Sequence, residues 1–327
     1  MQISRWQKEL QQSIRDPATL LDRLGLPVAD VPLANQSMHA FPIRIPPHYL
    51  SNIHKRDPGD PLLRQVLPLA DEDQDHAGYS ADPLGELQQS AAPGVLHKYH
   101  GRVLLITTGA CAIHCRYCFR RHFPYAENHI GNSNWDPALD YIRNDHSITE
   151  VILSGGDPLM LTDDKLDQLL RQLHEIRHLR RLRIHSRIIS VVPSRITNAL
   201  LDILTRGNLQ TVLVNHCNHP NEIDEQVGLA LSRIRATGIT LLNQSVLLRG
   251  VNDDVGVLIA LVERLFQYGV LPYYLHVLDK VAGAGHFDVA MTAARSLQEG
   301  LRRQLPGYLV PRLVQEFPGA PYKIPVL

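Results

Sequence analysis

The chain has 327 residues, of which 44% are hydrophobic and 20% are charged, so it can bury a large core. Its 33 basic residues balance its 33 acidic residues, which gives no overall attraction to nucleic acid or to anionic membranes. No apolar run approaches the roughly 20 residues that span a bilayer. With four cysteines and no secretory leader, we expect a protein of the reducing cytoplasm that binds neither nucleic acid nor membrane.

Residues 1–95 differ in pattern from the rest of the chain. The stretch from Trp6 to Leu24 predicts one or two short amphipathic helices broken near Pro17, and a proline-rich segment with Pro42, Pro46 and Pro47 follows. Residues 71–93 are rich in acidic residues, glycine and proline and show no clear period. We expect a mostly helical N-terminal extension that caps the protein, with a connection or lid strand at 71–93.

Residues 96–290 alternate between short β-branched runs and amphipathic runs. The predicted strands are Arg102–Thr108, Glu150–Ser154, Leu182–Val192, Thr211–Asn215, Thr240–Leu248 and Tyr273–Leu278. The predicted helices are Pro137–Asn144, Asp164–Ile176, Thr197–Thr205, Glu222–Thr237 and Asp254–Tyr268. C-cap glycines are expected at Gly207, Gly238 and Gly269, and an N-cap at Thr162 or Asp163. This alternation predicts a parallel sheet with right-handed crossovers, either open or barrel-like.

Three cysteines lie close together in Cys111-Ala-Ile-His-Cys115-Arg-Tyr-Cys118. Three thiolates on one loop can hold three corners of an iron–sulfur cluster and leave the fourth iron open to a small ligand. The same spacing also suits a closed zinc site completed by His114, His122 or Cys217. Ordinary packed cysteines are a third interpretation.

Other candidate residues also follow predicted strands. Gly155-Gly156-Asp157 follows the second strand, His216 the fourth and Asp279 the sixth. Glycines let the backbone approach a ligand, although a tight turn explains such a pair equally well. Because ligand sites of α/β proteins lie at the carboxyl ends of strands, contributions from many strands favour a barrel.

The cysteine loop, with Tyr117 before its last cysteine, resembles the signature of radical S-adenosylmethionine (radical SAM) enzymes. The resemblance implies a 4Fe-4S cluster on Cys111, Cys115 and Cys118 and the partial (βα)6 TIM-like barrel of that superfamily, here over residues 96–290. It also implies an S-adenosylmethionine pocket. The positions that match this pocket are Tyr117, Ser154, Gly155, Gly156, Asp157, His216 and Gln244.

Within that superfamily the chain resembles the lysine 2,3-aminomutases. The segments that carry this resemblance are Cys111–Phe123, Ser154–Leu159, Asn218–Glu222, Asn243–Leu248, Gly250–Asp253 and Pro311–Lys323. The resemblance implies L-lysine as substrate, β-lysine as product and pyridoxal 5′-phosphate as a further cofactor. A radical route for the amino group needs a π-system on its nitrogen, which an imine to pyridoxal phosphate provides. Lys323, in the C-terminal segment 291–327, matches the cofactor lysine, while Lys98 and Tyr99 are candidates for the cofactor phosphate.

Charged residues match the two ends of the substrate. Arg120 matches the position that binds the lysine carboxylate, and a guanidinium suits a bidentate carboxylate. Asp279 and Glu316 match the positions that bind the side-chain ammonium. Taken without the resemblance, Arg120 could be a surface arginine and Lys323 a solvated lysine near the C-terminus.

Two departures separate the chain from the catabolic aminomutases. Glu316 stands where those enzymes usually have aspartate, and Ala320-Pro-Tyr322 interrupts their glycine run before the cofactor lysine. The chain also ends at Leu327, without their longer C-terminal segment. Together with His97–His100, Arg120–Asn128 and Pro272–Lys280, these features resemble the branch that makes (R)-β-lysine for modification of translation elongation factor P.

The resemblance therefore implies a functional link to elongation factor P and its lysyl-transferring ligase, and an external one-electron reductant. It does not decide whether the protein forms a homo-oligomer. Two other functions stay as alternatives, a radical SAM enzyme without pyridoxal phosphate and a zinc-stabilised binding protein. The basic stretch Arg177–Arg187 offers a nucleic-acid site, but its basic residues interleave with a strand pattern.

Overall fold

A sheet of ten strands in chain order organises the described part of the protein. The computed structural model describes residues 3–125 and 135–327, so residues 126–128 of the elongation-factor-branch motif lie outside the described residues. The strands are β1 Ser90–Ala92, β2 Val95–Tyr99, β3 Arg102–Thr108, β4 Glu150–Gly155, β5 Arg181–Ser186, β6 Gln210–His216, β7 Thr240–Val246, β8 Leu271–His276, β9 Arg312–Gln315 and β10 Ile324–Pro325. No helix within the described ranges has the length and apolar character needed to cross a membrane.

Strands β3 to β9 are parallel, each paired with the next along the chain. The first six of them correspond to the six predicted strands, and helices connect them, so the predicted partial (βα)6 barrel is confirmed. Strand β9 adds a seventh parallel strand that the sequence did not predict. Its four residues begin directly after Pro311, and so short a run carries little periodic signal.

The helices follow the expected alternation. They are α1 Arg5–Gln11, α2 Pro17–Leu24, α3 Gln36–Ala40, α4 Pro47–Ser51, α5 Pro61–Arg64, α6 Asp136–Asn144, α7 Asp163–His174, α8 Ile188–Val191, α9 Asn198–Thr205, α10 Glu225–Ala236, α11 Val255–Gln267 and α12 Met291–Gln304. In α7, Leu166, Leu169, Leu170 and Leu173 are all buried at helical spacing, so one stripe faces the core. The Thr162 hydroxyl accepts the Lys165 N–H, which confirms this predicted N-cap.

The predicted strand Leu182–Val192 is wrong in its second half. Strand β5 ends at Ser186, and the following residues form α8. The Asp157 carboxylate accepts the backbone N–H groups of Arg187 and Ile188, which turns the chain away from the sheet. Because every residue of α8 is buried, its β-branched run does not distinguish a strand from a buried helix.

The predicted helix Glu222–Thr237 begins three residues later than expected. The Asp224 carboxylate accepts the Val227 N–H and caps α10 at Glu225, while Pro220–Glu222 forms a separate 3-10 turn. Beyond this helix, Gly238 has φ 82°, and Gly269 beyond α11 has φ 79°. Both therefore occupy the left-handed conformation that was expected of glycine there.

The N-terminal extension packs into the same hydrophobic core as the barrel. The predicted break near Pro17 is confirmed, since α1 ends at Gln11 and Asp16 caps α2. Leu20, Tyr49 and Leu62 are fully buried in the cluster that also holds the barrel strands. The division at residues 95 and 290 stays a prediction. The extension also supplies β1, and β2 begins at its last residue, Val95; both strands run antiparallel at the β3 edge of the sheet.

The two edges of the sheet are joined by side chains. Strands β1 and β10 are the outermost strands and do not pair with each other. Across this opening, Lys98 on β2 lies 3.1 Å from Glu316, which directly follows β9. We call this opening the seam.

Candidate functional site

The candidate residues meet at the carboxyl ends of the parallel strands, as the sequence predicted. The cysteine loop follows β3, the glycine pair ends β4, His216 ends β6, and Asp279 lies three residues beyond β8. Glu316 follows β9, and Lys323 directly precedes β10. The sheet thus places residues that are up to 212 positions apart, from Cys111 to Lys323, at one edge.

The three cysteines of the loop share one poorly solvated environment. Burial raises the pKa of Cys111, with added repulsion from Cys118 and Asp157. Burial also raises the pKa of Cys115, and it raises that of Cys118 to about 11. Thiolates in such a place need a cationic partner, and iron supplies one to each sulfur.

The zinc alternative fits this geometry poorly. Among the described residues, only His54, Asp57 and Asp60 bring three candidate ligand atoms within 4.8 Å of one another. Thiolates on a tetrahedral zinc ion lie about 4 Å apart, given a Zn–S bond of about 2.3 Å. The three cysteine sulfurs do not form such a group among the described residues, and a cluster does not require one, because it places several iron atoms between its thiolates.

The proposed fourth zinc ligands also have other partners. His114 Nδ1 lies 2.7 Å from the Pro42 carbonyl oxygen, and His122 Nε2 lies 3.1 Å from that of Ala282. Cys217 is buried, and its thiol donates to the His219 carbonyl oxygen at 3.4 Å. The three residues proposed as a fourth zinc ligand are thus engaged within the protein, and the assignment of the cluster to Cys111, Cys115 and Cys118 stays a prediction.

The N-terminal extension holds the cysteine loop from behind. Arg44 donates to the Cys111 carbonyl oxygen at 2.9 Å, and the Arg116 N–H donates to the Gln65 carbonyl oxygen at 2.8 Å. The His114 ring stacks on Phe41 with 5.1 Å between centroids. The backbone of the loop is therefore fixed by residues that precede the barrel.

A buried carboxylate in the extension anchors two arginines of the loop region. Glu72 is 3% exposed and accepts two bonds from Arg116, at 2.8 and 2.5 Å, and one from Arg121 at 2.8 Å. Arg116 also donates to the carbonyl oxygens of Phe41 and Ser37. Removing one partner of a buried ion pair costs about 3–5 kcal/mol, so Glu72 is a strong anchor.

The glycine pair lies directly against the start of the cysteine loop. Gly155 has φ 116°, and a β-carbon there would lie 2.6 Å from the Thr108 carbonyl oxygen. A β-carbon on Gly156 would overlap the Ala110 carbonyl group. The Asp157 N–H donates to that Ala110 oxygen at 2.8 Å. Close packing of two backbone segments therefore requires both glycines, and it fixes the β4 loop relative to Cys111.

Two polar residues beside the glycines are engaged within the protein. The Ser154 hydroxyl accepts from Arg120 at 3.0 Å. The Asp157 carboxylate accepts from the Leu159 N–H and from the Ser186 hydroxyl, in addition to its bonds at the end of β5. The part of Asp157 in cofactor binding stays a prediction, because its carboxylate already organises the β4 and β5 loops.

Arg187, which the sequence analysis missed, lies beside the cluster loop. Its guanidinium is 7% exposed and donates to Gln65 at 2.8 Å and to Glu222 at 3.0 Å. Its Nε and Nη1 atoms have no hydrogen-bond partner within the described structure. It lies over the ring of Tyr117, whose hydroxyl accepts from Asn218 at 2.7 Å. Its position directly after the end of β5 was the available signal.

Three histidines line the inner face of the sheet, of which His276 is buried and His185 and His216 are half-buried. Burial lowers the pKa of His216 to about 3, with added repulsion from Arg187 and Arg120. Burial also lowers the pKa of His185 and His276. The Nε2 atoms of all three have no partner within the described residues, so uncharged polar groups face this space. Gln244 pairs in register with His216, whereas His185 and His276 were not predicted.

A chain of alternating charges runs through the site. Arg120 contacts Glu86, Glu86 lies 3.0 Å from Lys98, and Lys98 lies 3.1 Å from Glu316. Glu316 in turn pairs with Lys323. The Tyr99 hydroxyl also reaches Glu316, and the pKa of Tyr99 is raised by burial and by this carboxylate. The structure therefore brings Lys98 and Tyr99 together with Lys323, while Glu86 was missed by the sequence analysis.

The two acidic candidates differ in protonation. Burial and the neighbouring Glu316 raise the pKa of Asp279 to about 7. Burial alone would also raise the pKa of Glu316, but Lys323 and Lys98 hold it far below its usual value. Glu316 thus stays ionised, whereas Asp279 becomes ionised near neutral pH.

Comparisons with known proteins bear on the family of this chain. Residues 105–262 match the family model described as "Radical SAM superfamily". The chain is 50% identical over 322 residues to the L-lysine 2,3-aminomutase of Escherichia coli, covering 98% of this chain and 94% of that protein. It is 47% identical to the protein of the same name from Haemophilus influenzae, over 97% of this chain and 94% of the relative.

More distant relatives extend the comparison. The L-lysine 2,3-aminomutase of Clostridium subterminale is 38% identical, over 98% of this chain and 77% of the relative. Among solved structures, a radical SAM methyltransferase from Sphaerobacter thermophilus matches with TM-score 0.50 and 18% identity, over 68% of each chain. At that identity the match bears on the fold alone.

Proposed function

Because the chain belongs to the L-lysine 2,3-aminomutase family of the radical SAM superfamily, we propose that it converts L-lysine to (R)-β-lysine by moving the α-amino group to the β-carbon. Membership confirms the family predicted from the cysteine loop and assigns the chain to the isomerases. The observation that carries the proposal is the charged chain of the barrel, which sets a guanidinium at one end and acidic groups beside a lysine at the other.

The acidic end suits the side-chain ammonium of lysine. Asp279 and Glu316 act on one another electrostatically, which marks them as neighbours in the same space. Charge-assisted hydrogen bonds are worth about 1.5–3 kcal/mol each, so two of them discriminate strongly against analogues without a terminal amine. A cation between the two carboxylates would also relieve the repulsion that raises the pKa of Asp279.

The guanidinium end suits the carboxylate of lysine. Arg120 is 7% exposed, and three of its five N–H groups have partners in Glu86 and Ser154. The remaining N–H groups can bind one carboxylate. Substrate held at both ends presents its α- and β-carbons between them.

Lys323 fits the lysine that holds pyridoxal 5′-phosphate. Its amino group lies beside Glu316 and within electrostatic reach of His185, His216 and His276, so it faces the inner space rather than bulk water. When bound there, the cofactor supplies a π-system that lets the substrate nitrogen migrate. Lys98 places a cation at this end of the site, 3.1 Å from Glu316, which supports its proposed part in holding the phosphate group.

Cys111, Cys115 and Cys118 fit the three protein ligands of a 4Fe-4S cluster. Such a cluster with S-adenosylmethionine supplies the radical that removes hydrogen from the β-carbon, using an electron from an external reductant. The N–H groups of Arg187 without partners lie in the same region, close to the thiol of Cys115. The extension closes the loop from behind and keeps water from it.

We further propose that the product serves modification of elongation factor P. The chain is more similar to the Escherichia coli and Haemophilus influenzae proteins, at 50% and 47% identity, than to the Clostridium protein at 38%. Glu316 and the Ala320-Pro-Tyr322 sequence also fit that branch. Co-expression with elongation factor P and its ligase, followed by hydrolysis and chiral amino-acid analysis, should recover β-lysine from the factor. Recovery of α-lysine alone would contradict this link.

The test of the isomerase is anaerobic reconstitution with iron, sulfide and pyridoxal phosphate, followed by incubation with L-lysine, reductant and S-adenosylmethionine. Chiral analysis should find (R)-β-lysine, and omission of either organic cofactor should abolish it. Full product formation without pyridoxal phosphate would favour a different radical SAM chemistry. No product from a fully loaded protein would reject lysine as the substrate.

A further inference from the structure

Glu86 holds one edge of the Arg120 guanidinium. Its two carboxylate oxygens accept from Arg120 Nε at 2.6 Å and from Nη2 at 2.8 Å, and the Ser154 hydroxyl accepts from Nη1 at 3.0 Å. An arginine side chain has five N–H groups, so two remain, one on each terminal nitrogen. Together they form an edge that matches a second, bidentate carboxylate.

Glu86 is itself held rigidly. It is 2% exposed and lies at the start of a 3-10 turn, where the Asp82 carboxylate accepts its N–H at 3.0 Å and that of Leu87 at 3.2 Å. Lys98 lies 3.0 Å from the same Glu86 carboxylate. A fixed anion thus determines where the guanidinium of Arg120 points.

The charges around Glu86 favour one additional anion. Two cations, Arg120 and Lys98, contact the single carboxylate of Glu86. Arg120 therefore shares its anion with Lys98, in a space with little water where a charge interaction is worth more than at a surface. A substrate carboxylate would give Arg120 a second anion.

We propose that Glu86 is a positioning residue that aims Arg120 at the substrate carboxylate, so that the enzyme selects an amino acid over the corresponding amine. This inference rests on the proposed function. It assigns to the N-terminal extension a part in substrate selection, in addition to its contacts with the cysteine loop. Glu86 does not touch the reacting atoms, and it acts on the substrate carboxylate through Arg120.

The test compares lysine with cadaverine, which has the same terminal amines and chain length but no carboxylate. Binding of both to the anaerobic, reconstituted holoenzyme is measured by calorimetry, beside KM and kcat for lysine. In Glu86→Gln, lysine affinity should fall about tenfold to a hundredfold, while cadaverine affinity stays within about twofold. Because the substitution acts on binding, KM should rise more than kcat falls.

A second variant distinguishes a loss of Arg120 positioning from a loss of folding. Glu86→Gln leaves two cations without their anion, whereas Glu86→Asp keeps the charge and shortens the side chain by one methylene. Glu86→Asp should restore most of the preference for lysine over cadaverine. If both substitutions lower the two affinities equally, Glu86 has only a structural part and the inference fails.

The matched control is Glu150→Gln. Glu150 makes the same two-bond contact, with Arg183 at 2.9 and 2.8 Å, but at the start of β4, away from the site. This variant should keep the wild-type preference, and loss of preference there would overturn the inference. Arg120→Met tests the underlying assumption that Arg120 binds the substrate carboxylate. If this variant keeps the preference for lysine over cadaverine, that part of the proposed function fails, whatever Glu86 does.

Discussion

The charge state of Asp279 predicts how substrate binding depends on pH. Its pKa of about 7 means that about half of the carboxyls are ionised at pH 7, about a tenth at pH 6 and about nine tenths at pH 8. The side-chain ammonium of lysine stays charged over this range, since its pKa is about 10.4. The contribution of Asp279 to lysine binding should therefore weaken about tenfold from pH 8 to pH 6.

Norleucine isolates this effect, because it has the carbon chain of lysine without the terminal amine. The α-amino group also titrates, but it does so equally in both compounds. Inhibition constants for norleucine and KM values for lysine, measured from pH 6 to 8, give the ratio that reports on Asp279. The preference for lysine should rise with pH and level off above pH 8.

Asp279→Asn should remove this pH dependence. At pH 8 it should also lower the preference for lysine about tenfold to a hundredfold, the equivalent of one charge-assisted hydrogen bond of about 1.5–3 kcal/mol. Asp253→Asn is the control, since Asp253 is an exposed carboxylate that accepts the Gly250 N–H in the loop after β7. A wild-type preference that is constant from pH 6 to 8 would refute the reasoning.

Three further outcomes are expected. Cys115→Ala should lose bound iron and sulfide while the polypeptide stays in solution, whereas Cys217→Ser should keep both; unchanged iron in the first variant would reject the cluster. Borohydride reduction of the cofactor-loaded protein should place the pyridoxyl group on Lys323, and a peptide map with the label elsewhere would move the site. Glu72→Gln should cost about 3–5 kcal/mol in urea unfolding, against about 1 kcal/mol or less for Asp167→Asn, whose half-buried carboxylate binds two exposed arginines; equal costs would show that Glu72 is not a buried anchor.

Local sequence patterns predicted most of the strands of the barrel. The strands that precede Cys111 and Gly155 are short apolar runs followed by glycine or polar residues, and both were predictable within about two residues. The end of β5 was not predictable, because the turn there depends on the Asp157 carboxylate, about 30 positions earlier in the chain. Tertiary hydrogen bonds of that kind leave no periodic trace in the sequence.

Some residues of the site could likewise be predicted from the sequence, and others could not. The cysteine spacing is a local signal, so the cluster loop could be found from the sequence alone. Glu86 and Glu72 lie 34 and 44 positions from the arginines they bind, in a stretch with no period. An acidic residue in such a stretch looks solvated until the fold buries it. The partners of Arg120 therefore had to come from the structure.

The seam has a consequence for how ligands reach the interior. In a closed eight-stranded barrel the wall is a continuous ladder of main-chain hydrogen bonds, so small molecules enter only at the ends. Here the wall is interrupted, and the contact between Lys98 and Glu316 is a clasp of two side chains. Separating these two side chains would break no strand pairing. We therefore expect the seam to be a place where a cofactor can enter the barrel from the side while the sheet stays intact.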